Sequence, residues 1–235
     1  MTNKSNYELV KRYEVEGFSI EKVLQRYINP EDIRSFRNIL ASTGALISGS
    51  TAIQLFARAY FASSDLDIYV HHSELDVLVA FLMRTSYHAV IHSSNGYGRG
   101  FRVHDFIRNT SRVQVIATRS DPLHTILEFN LTLSMNIITA THAVSLFPYS
   151  SFVKEGWAIR RVLTYSEYAD VGSEFYAAGE DAGLRTLGDT KSWVLGWAND
   201  HRTERLALAR EKQVPWKLPI KASPLKWYRG AANIG

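Results

Sequence analysis

The apolar positions recur at helical spacing early in the chain and then fall into short alternating or β-branched runs. Four segments have the helical spacing and carry the start and stop residues of helices. These predicted helices span residues 18–27, 29–43, 51–61 and 73–84. The alternating runs predict strands over 45–47, 66–70, 87–92, 101–107, 113–118 and 129–138, with 93–100 as a hairpin loop. The segment 129–138 could instead begin a helix.

The part of the chain after residue 150 is predicted to be mostly helical, most clearly over 165–178 and 189–209. Trp193 and Trp197 would then share a helix face, either as core residues or as a platform for stacking bases. Three prolines within residues 215–224 predict an irregular end. The fold class is therefore α+β, a mixed sheet flanked by helices with a C-terminal helical part. The predicted divisions are a core over 1–150, helices over 151–214 and a tail over 215–235.

Composition narrows the class of protein. The chain has 235 residues, of which 46% are hydrophobic and 21% charged, so it is long and apolar enough to fold. It contains no cysteine, which excludes disulfide scaffolds, thiolate metal sites and cysteine nucleophiles. No apolar run approaches the roughly 20 residues of a membrane span, and the first residues lack a secretory pattern. We expect a soluble cytoplasmic protein without membrane contact; a nuclear location and the oligomeric state stay open.

The basic residues concentrate near the end of the sequence. The net charge is only +4, but residues 202–235 hold eight Lys and Arg residues against two acidic ones. Aromatic residues alternate with these cations after residue 215, which suits contact with phosphates and bases. The tail therefore predicts RNA as a partner. The alternative is a solvated, solubilising terminus.

Two carboxylates lie two residues apart in the segment 64–70, Ser-Asp-Leu-Asp-Ile-Tyr-Val. On a strand, Asp65 and Asp67 point to one face while the apolar residues between and after them point to the other. The two charges repel unless a cation lies between them, and paired oxygen ligands suit Mg²⁺ or Mn²⁺. The alternative is the solvated face of an ordinary half-buried strand.

A possible phosphate-binding turn precedes these acids. Gly49 lacks a Cβ, so a ligand can approach its backbone closely. Ser50 and the free N–H groups at Thr51, where the next helix begins, can hold an anion. Arg99, in the glycine-rich loop 95–100, is a further candidate for a triphosphate or polynucleotide, or is solvated surface charge.

The ordered set of strand, Gly-Ser turn, helix and Asp-x-Asp strand resembles the DNA polymerase β-like nucleotidyltransferase superfamily. Ser48-Gly49-Ser50 and Asp65-Leu66-Asp67-Ile68 match its motif, although the gap between them is slightly long. The resemblance covers about residues 33–138. Segments 135–139 and 188–193 are also similar to uncharacterised fungal proteins that carry this domain.

The resemblance implies a reaction. Asp65 and Asp67 would hold Mg²⁺ ions against a nucleoside triphosphate while an acceptor hydroxyl attacks the α-phosphorus and pyrophosphate leaves. The family places a third carboxylate on a later strand, where this chain has Gln114, which has no negative charge. Glu128 is the first candidate to replace it as a catalytic carboxylate, and Asp105 is the second. The alternative function is a catalytically lapsed module that binds nucleotide or RNA or serves as a structural protein.

Overall fold

The structure is a computed structural model that describes residues 17–90, 101–129, 132–148, 151–152, 184–185, 192–197 and 216–217. The described helices are α1 (Ile20–Leu24), α2 (Ile33–Thr43), α3 (Gly49–Ala57), α4 (Leu75–Arg84) and α5 (Pro122–Leu127). The strands of the larger sheet are β1 (Leu46–Ser48), β2 (Leu66–His71), β3 (His88–Val90), β4 (Phe101–Arg108), β5 (Ser111–Thr118), β6 (Asn136–Ile138), β7 (His142–Ser145) and β9 (Trp193–Gly196). Two further strands, β8 (Leu184–Arg185) and β10 (Trp216–Lys217), pair with each other.

The two described N-terminal helices lie within the segments that the sequence predicts to be helical. The hydroxyl of Ser19 accepts a hydrogen bond from the backbone of Lys22 and caps α1. A 3₁₀ turn over Pro30–Asp32 leads into α2, with proline at its first position. Gly44 ends α2 with φ of +65°, a conformation that favours glycine. The predictions for these segments are confirmed, although α1 is shorter than expected.

The larger sheet has eight strands in the order β3-β4-β5-β2-β1-β6-β7-β9. Within it β2 and β5 run parallel, and every other neighbouring pair is antiparallel. A mixed α+β fold is therefore confirmed. The parallel pair matters for the site, because it places the segment after Asp65 directly beside the segment after Arg112.

The sheet is covered on both faces by apolar clusters. The cluster on the helix side contains Leu66, Ile68 and Val70, all fully buried among residues of α1–α4. The cluster on the other side contains Tyr69 together with Ile126 and residues of the loops around β6 and β7. The alternation predicted for β2 is confirmed, and Asp65 and Asp67 belong to the face opposite the helix-side core.

The helix predicted over 189–209 is wrong at Trp193–Gly196, which form β9 on the edge of the large sheet beside β7. A short apolar run satisfies helix and strand patterns equally, and the partner that decides between them is some fifty residues earlier in the chain. Trp193 packs edge-on against Phe18, with ring centroids 4.9 Å apart. Trp197 is buried and donates its indole N–H to Thr139 O at 3.1 Å. Trp197 is a core residue and Trp193 is a half-buried residue packed against the core, which agrees with the first interpretation, but the two do not share a helix.

Other predictions also need correction. The strand expected over 129–138 is limited to Asn136–Ile138, with a 3₁₀ turn over Thr132–Ser134 before it. The short helix α5 was missed, although Asp121 caps it and Pro122 is at its first position. In the tail, Trp216–Lys217 form a strand rather than irregular chain, and Leu184–Arg185 pair with it in a segment expected to be helical.

Other sequence predictions fall beyond the described residues. These are the hairpin loop over 93–100, the helix over 165–178 and nearly all of the tail. The divisions at residues 150 and 214 stay predictions. None of the helices in the described ranges has the length and hydropathy needed to cross a membrane.

Candidate functional site

A row of polar residues crosses four adjacent strands of the sheet. Ser48 on β1 pairs with Asp67 on β2, Asp67 pairs with Gln114 on β5, and Gln114 pairs with Asp105 on β4. Residues that pair directly across a sheet point to the same face. Asp65 immediately precedes β2 and Arg112 lies on β5, each two positions before Asp67 and Gln114, so their side chains join the same face. Four strands from three separate stretches of the chain thus build one polar patch.

The carboxylate of Asp67 lies against the first residue of α3. Gly49 has φ of +69°, in the left-handed region that favours glycine. A Cβ placed on Gly49 would stand 3.3 Å from Cγ of Asp67 and would overlap its Oδ2 atom. The space that glycine leaves open is therefore filled by Asp67 itself, and the carboxylate and the helix start are in van der Waals contact.

Hydroxyl groups of α3 fix the residues that precede β2. The buried Thr51 donates its hydroxyl to the backbone O of Asp65 at 2.8 Å. Ser50 Oγ and Ser64 Oγ are 2.5 Å apart, and Gln54 Nε2 donates to the same Ser64 Oγ at 2.8 Å. These bonds place Asp65 relative to the first turn of the helix. In this arrangement Ser50 and Thr51 hold the loop, and their predicted contact with phosphate stays a prediction.

The first turn of α3 has no side-chain cap. Ser48 is the N-cap residue, but its hydroxyl makes no cap hydrogen bond. It is directed instead to the backbone O atoms of Ser134 and Asn136, at 2.9 and 2.8 Å. Backbone N–H groups at a helix start need acceptors from another source, and an anion is a suitable one.

The electrostatics of the two aspartates differ. Burial raises the pKa of Asp67 to about 7, helped by repulsion from Asp65, while Arg112 acts in the opposite direction. Burial also raises the pKa of Asp65, although Arg112 offsets part of the effect. A carboxyl group with a pKa near 7 retains a proton over much of the range in which its neighbours are ionised. A cation bound at Asp67 would take the place of that proton.

Arg112 is the main feature of the site that the sequence pattern did not reveal. Its Nε and Nη2 atoms donate to Asp105 Oδ1 at 3.0 and 2.8 Å. Its Nη1 atom lies 3.5 Å from Asp65 Oδ2. Gln114 also donates to Asp105 Oδ1, at 2.8 Å. The only available signal was the alternation of Arg112 and Gln114 on β5, which matches that of Asp65 and Asp67 but says nothing about which strands are neighbours.

Glu128, a predicted site residue, is not brought to this patch. Glu128 follows α5 with its side chain 67% exposed, and its Oε1 atom is 3.3 Å from His124 Nε2. Arg99 falls outside the described residues. Within the described ranges, no three His, Asp or Glu side chains form a group able to hold a metal ion. Glu128 therefore does not complete a metal cluster with Asp65 and Asp67 here, and its catalytic role stays a prediction.

No protein-family model matches the chain, and a search of the curated proteins found no match either.

Proposed function

We propose that this chain binds a nucleoside triphosphate together with Mg²⁺ or Mn²⁺ and transfers its nucleotidyl group to an acceptor. One observation carries the proposal: the carboxylate of Asp67 lies in contact with Gly49, at the uncapped start of α3. The proposed cation ligand, the carboxylate of Asp67, therefore lies in contact with the proposed phosphate site, the first turn of α3. The order of strand, Gly-Ser turn, helix and Asp-x-Asp strand supports the finer proposal of a nucleotidyltransferase-like fold.

The donor set fits a magnesium ion that arrives with its nucleotide. Asp65 and Asp67 offer two carboxylates from one face of the sheet. Mg²⁺ is usually bound by one or two carboxylates, with substrate phosphates and water completing its coordination. A pair, rather than a closed group of three, suits such an ion. When bound, the ion supplies charge neutralisation of the triphosphate and of the departing pyrophosphate.

The chain's own residues would bind and orient the nucleotide. Asp67, which carries the more strongly desolvated charge, gains most from a cation. The backbone N–H groups of Gly49 and Ser50 would donate hydrogen bonds to phosphate oxygens at the positive end of the α3 dipole. Thr51 acts one step away, because its hydroxyl fixes the backbone of Asp65. The acceptor is left open.

The experiment compares the wild-type full chain with Asp65→Asn and Asp67→Asn, using each of the four nucleoside triphosphates with Mg²⁺. We expect both substitutions to abolish magnesium-dependent turnover while circular dichroism shows an intact fold. Asp76→Asn is the matched control, because Asp76 is an exposed carboxylate on α4 and its loss changes the net charge equally. Turnover that is equal in all four proteins would refute the assignment.

A second candidate function is a module that binds nucleotide without transferring it. The observation that favours it is the state of Asp105, which pairs with Gln114 across β4 and β5 and accepts hydrogen bonds from both Arg112 and Gln114. Asp105, the second candidate for the missing third carboxylate, is then not available to deprotonate an acceptor. Such a module would act through RNA bound by the basic tail in the cytoplasm. Labelled nucleotide transferred to any acceptor by the wild-type protein, but not by Asp67→Asn, would exclude it.

A further inference from the structure

The guanidinium group of Arg112 connects two acidic residues with bonds of unequal quality. Toward Asp105 it makes two hydrogen bonds of 2.8 and 3.0 Å, to a side chain that is only 7% exposed. Toward Asp65 it makes a single contact of 3.5 Å, to a side chain that is 28% exposed. Ion pairs contribute less when they are longer and more solvated. The link to Asp105 is thus the fixed one, and the link to Asp65 is the exchangeable one.

The spacing of the strands separates Asp105 from the proposed cation. Asp67 and Asp105 lie on either side of Gln114, two strand spacings apart, which is about 10 Å between their Cα atoms. Asp105 also accepts three hydrogen bonds on Oδ1. Its place in the row is therefore best explained as an anchor for Arg112 rather than as a ligand of the same ion.

Arg112 remains accessible although it is anchored. Its side chain is 42% exposed, and it projects from the face that carries Asp65 and Asp67. A guanidinium group has five donors in a fixed plane, so the bonds to Asp105 leave Nη1 free to change its acceptor. Arginine matches the geometry of phosphate oxygens well, and an anchored arginine loses little entropy when it binds one.

We infer that Arg112 is a substrate-binding residue for the triphosphate, kept in position by Asp105 and Gln114. Without cation, its Nη1 pairs with Asp65. When Asp65 binds a divalent cation, Nη1 is released and donates to a phosphate oxygen of the nucleotide. This inference rests on the proposed function, because it takes the nucleotide and the cation to bind at Asp65 and Asp67.

The inference predicts changes of opposite sign for cation and nucleotide. In Arg112→Gln, Asp65 loses a competing cation, so Mn²⁺ binding without nucleotide should tighten by about 2- to 5-fold, measured by electron paramagnetic resonance. The affinity for ATP with Mg²⁺ should fall by about 10- to 100-fold, measured by calorimetry. Arg34→Gln controls for net charge, because Arg34 is an exposed arginine on α2, in the helical layer. It should change neither affinity by more than about 2-fold.

A second variant protects the test against loss of the fold. Arg112→Gln leaves Asp105 buried with less compensation, so the double variant Arg112→Gln with Asp105→Asn removes that uncompensated charge. A folded double variant that binds ATP as tightly as the wild type overturns the inference. If Arg112→Gln binds Mn²⁺ more tightly and ATP more weakly, but the wild type transfers no nucleotidyl group, the role of Arg112 in binding is supported. Only the proposed transfer reaction is then refuted. Failure of the wild type to bind ATP would defeat both proposals.

Discussion

Replacing Asp67 with asparagine should make the protein more stable at neutral and alkaline pH, although it should remove the proposed activity. Burial raises the pKa of Asp67 from 3.8 to about 7 in the folded protein. The folded state therefore holds a proton that the unfolded state has lost between these two values. By linkage, the stability contributed by Asp67 is greatest below pH 3.8, falls as the pH rises to about 7 and stays low above it.

The size of the effect follows from the same shift. Each unit of pKa difference corresponds to about 1.4 kcal/mol, so a shift of about three units makes ionised Asp67 unfavourable by at most about 4 kcal/mol. Asparagine has nearly the same shape without the charge. We expect Asp67→Asn to raise the free energy of unfolding by up to that amount at about pH 8, and by much less at about pH 4.5. Excess Mg²⁺ should stabilise the wild type and leave Asp67→Asn unchanged.

Urea denaturation followed by circular dichroism, across this pH range, measures the difference. Asp76→Asn again serves as the control, since its carboxylate is exposed and should give no comparable pH-dependent gain. If Asp67→Asn proved no more stable than the wild type at about pH 8, or if its gain did not shrink toward about pH 4.5, the desolvated charge would not be the dominant cost at this site.

Four further changes test the two positive-φ glycines, the loop before β2 and the basic tail. Gly44→Ala should lose about 1 kcal/mol of stability from its positive φ alone, because nothing lies within 4 Å of a Cβ there. Gly49→Ala should lose at least about 1 kcal/mol more, since its new Cβ also displaces Asp67. Equal losses for the two variants in urea denaturation would contradict the close contact between Gly49 and Asp67. Thr51→Val should cost about 1 kcal/mol and weaken binding of ATP with Mg²⁺ in calorimetry, because Asp65 loses a buried donor; unchanged binding would remove its positioning role. Removing residues 214–235 deletes four Lys and Arg residues and should reduce the salt dependence of RNA binding by a slope of up to about 3; an unchanged slope would exclude the tail as the RNA contact.

The sequence was sufficient to predict features that depend only on residues close together in one segment. Alternation placed Asp65 and Asp67 on one face of β2, and Gly44 marked the end of α2, because both depend on neighbours in sequence. The pairing of β2 with β5 could not be predicted in this way. It depends on which of several similar strands are adjacent, and the position of Arg112 between Asp65 and Asp105 follows from that pairing.

Glu128 was predicted to belong to the site but lies outside it, again because the sequence does not show which elements are neighbours. A carboxylate just before a predicted strand was a reasonable replacement for the one missing at Gln114. The described chain instead forms α5 there, and Glu128 ends beside His124, in solvent. Asp105 belongs to the same cross-strand row as Gln114, which becomes visible only once β4 and β5 are paired. Distance along the chain was a poor guide to distance across the sheet.

The late strand β9 has a practical consequence for anyone who shortens this protein. A fragment that stops at residue 150 would lack β9, so the backbone groups of β7 would form an open edge able to pair with another chain. It would also remove Trp193 from Phe18 and Phe56, and the indole of Trp197 from Thr139. Such a fragment would contain Asp65, Asp67 and Arg112 but would be prone to self-association, so biochemical assays of the site require the segment that supplies β9.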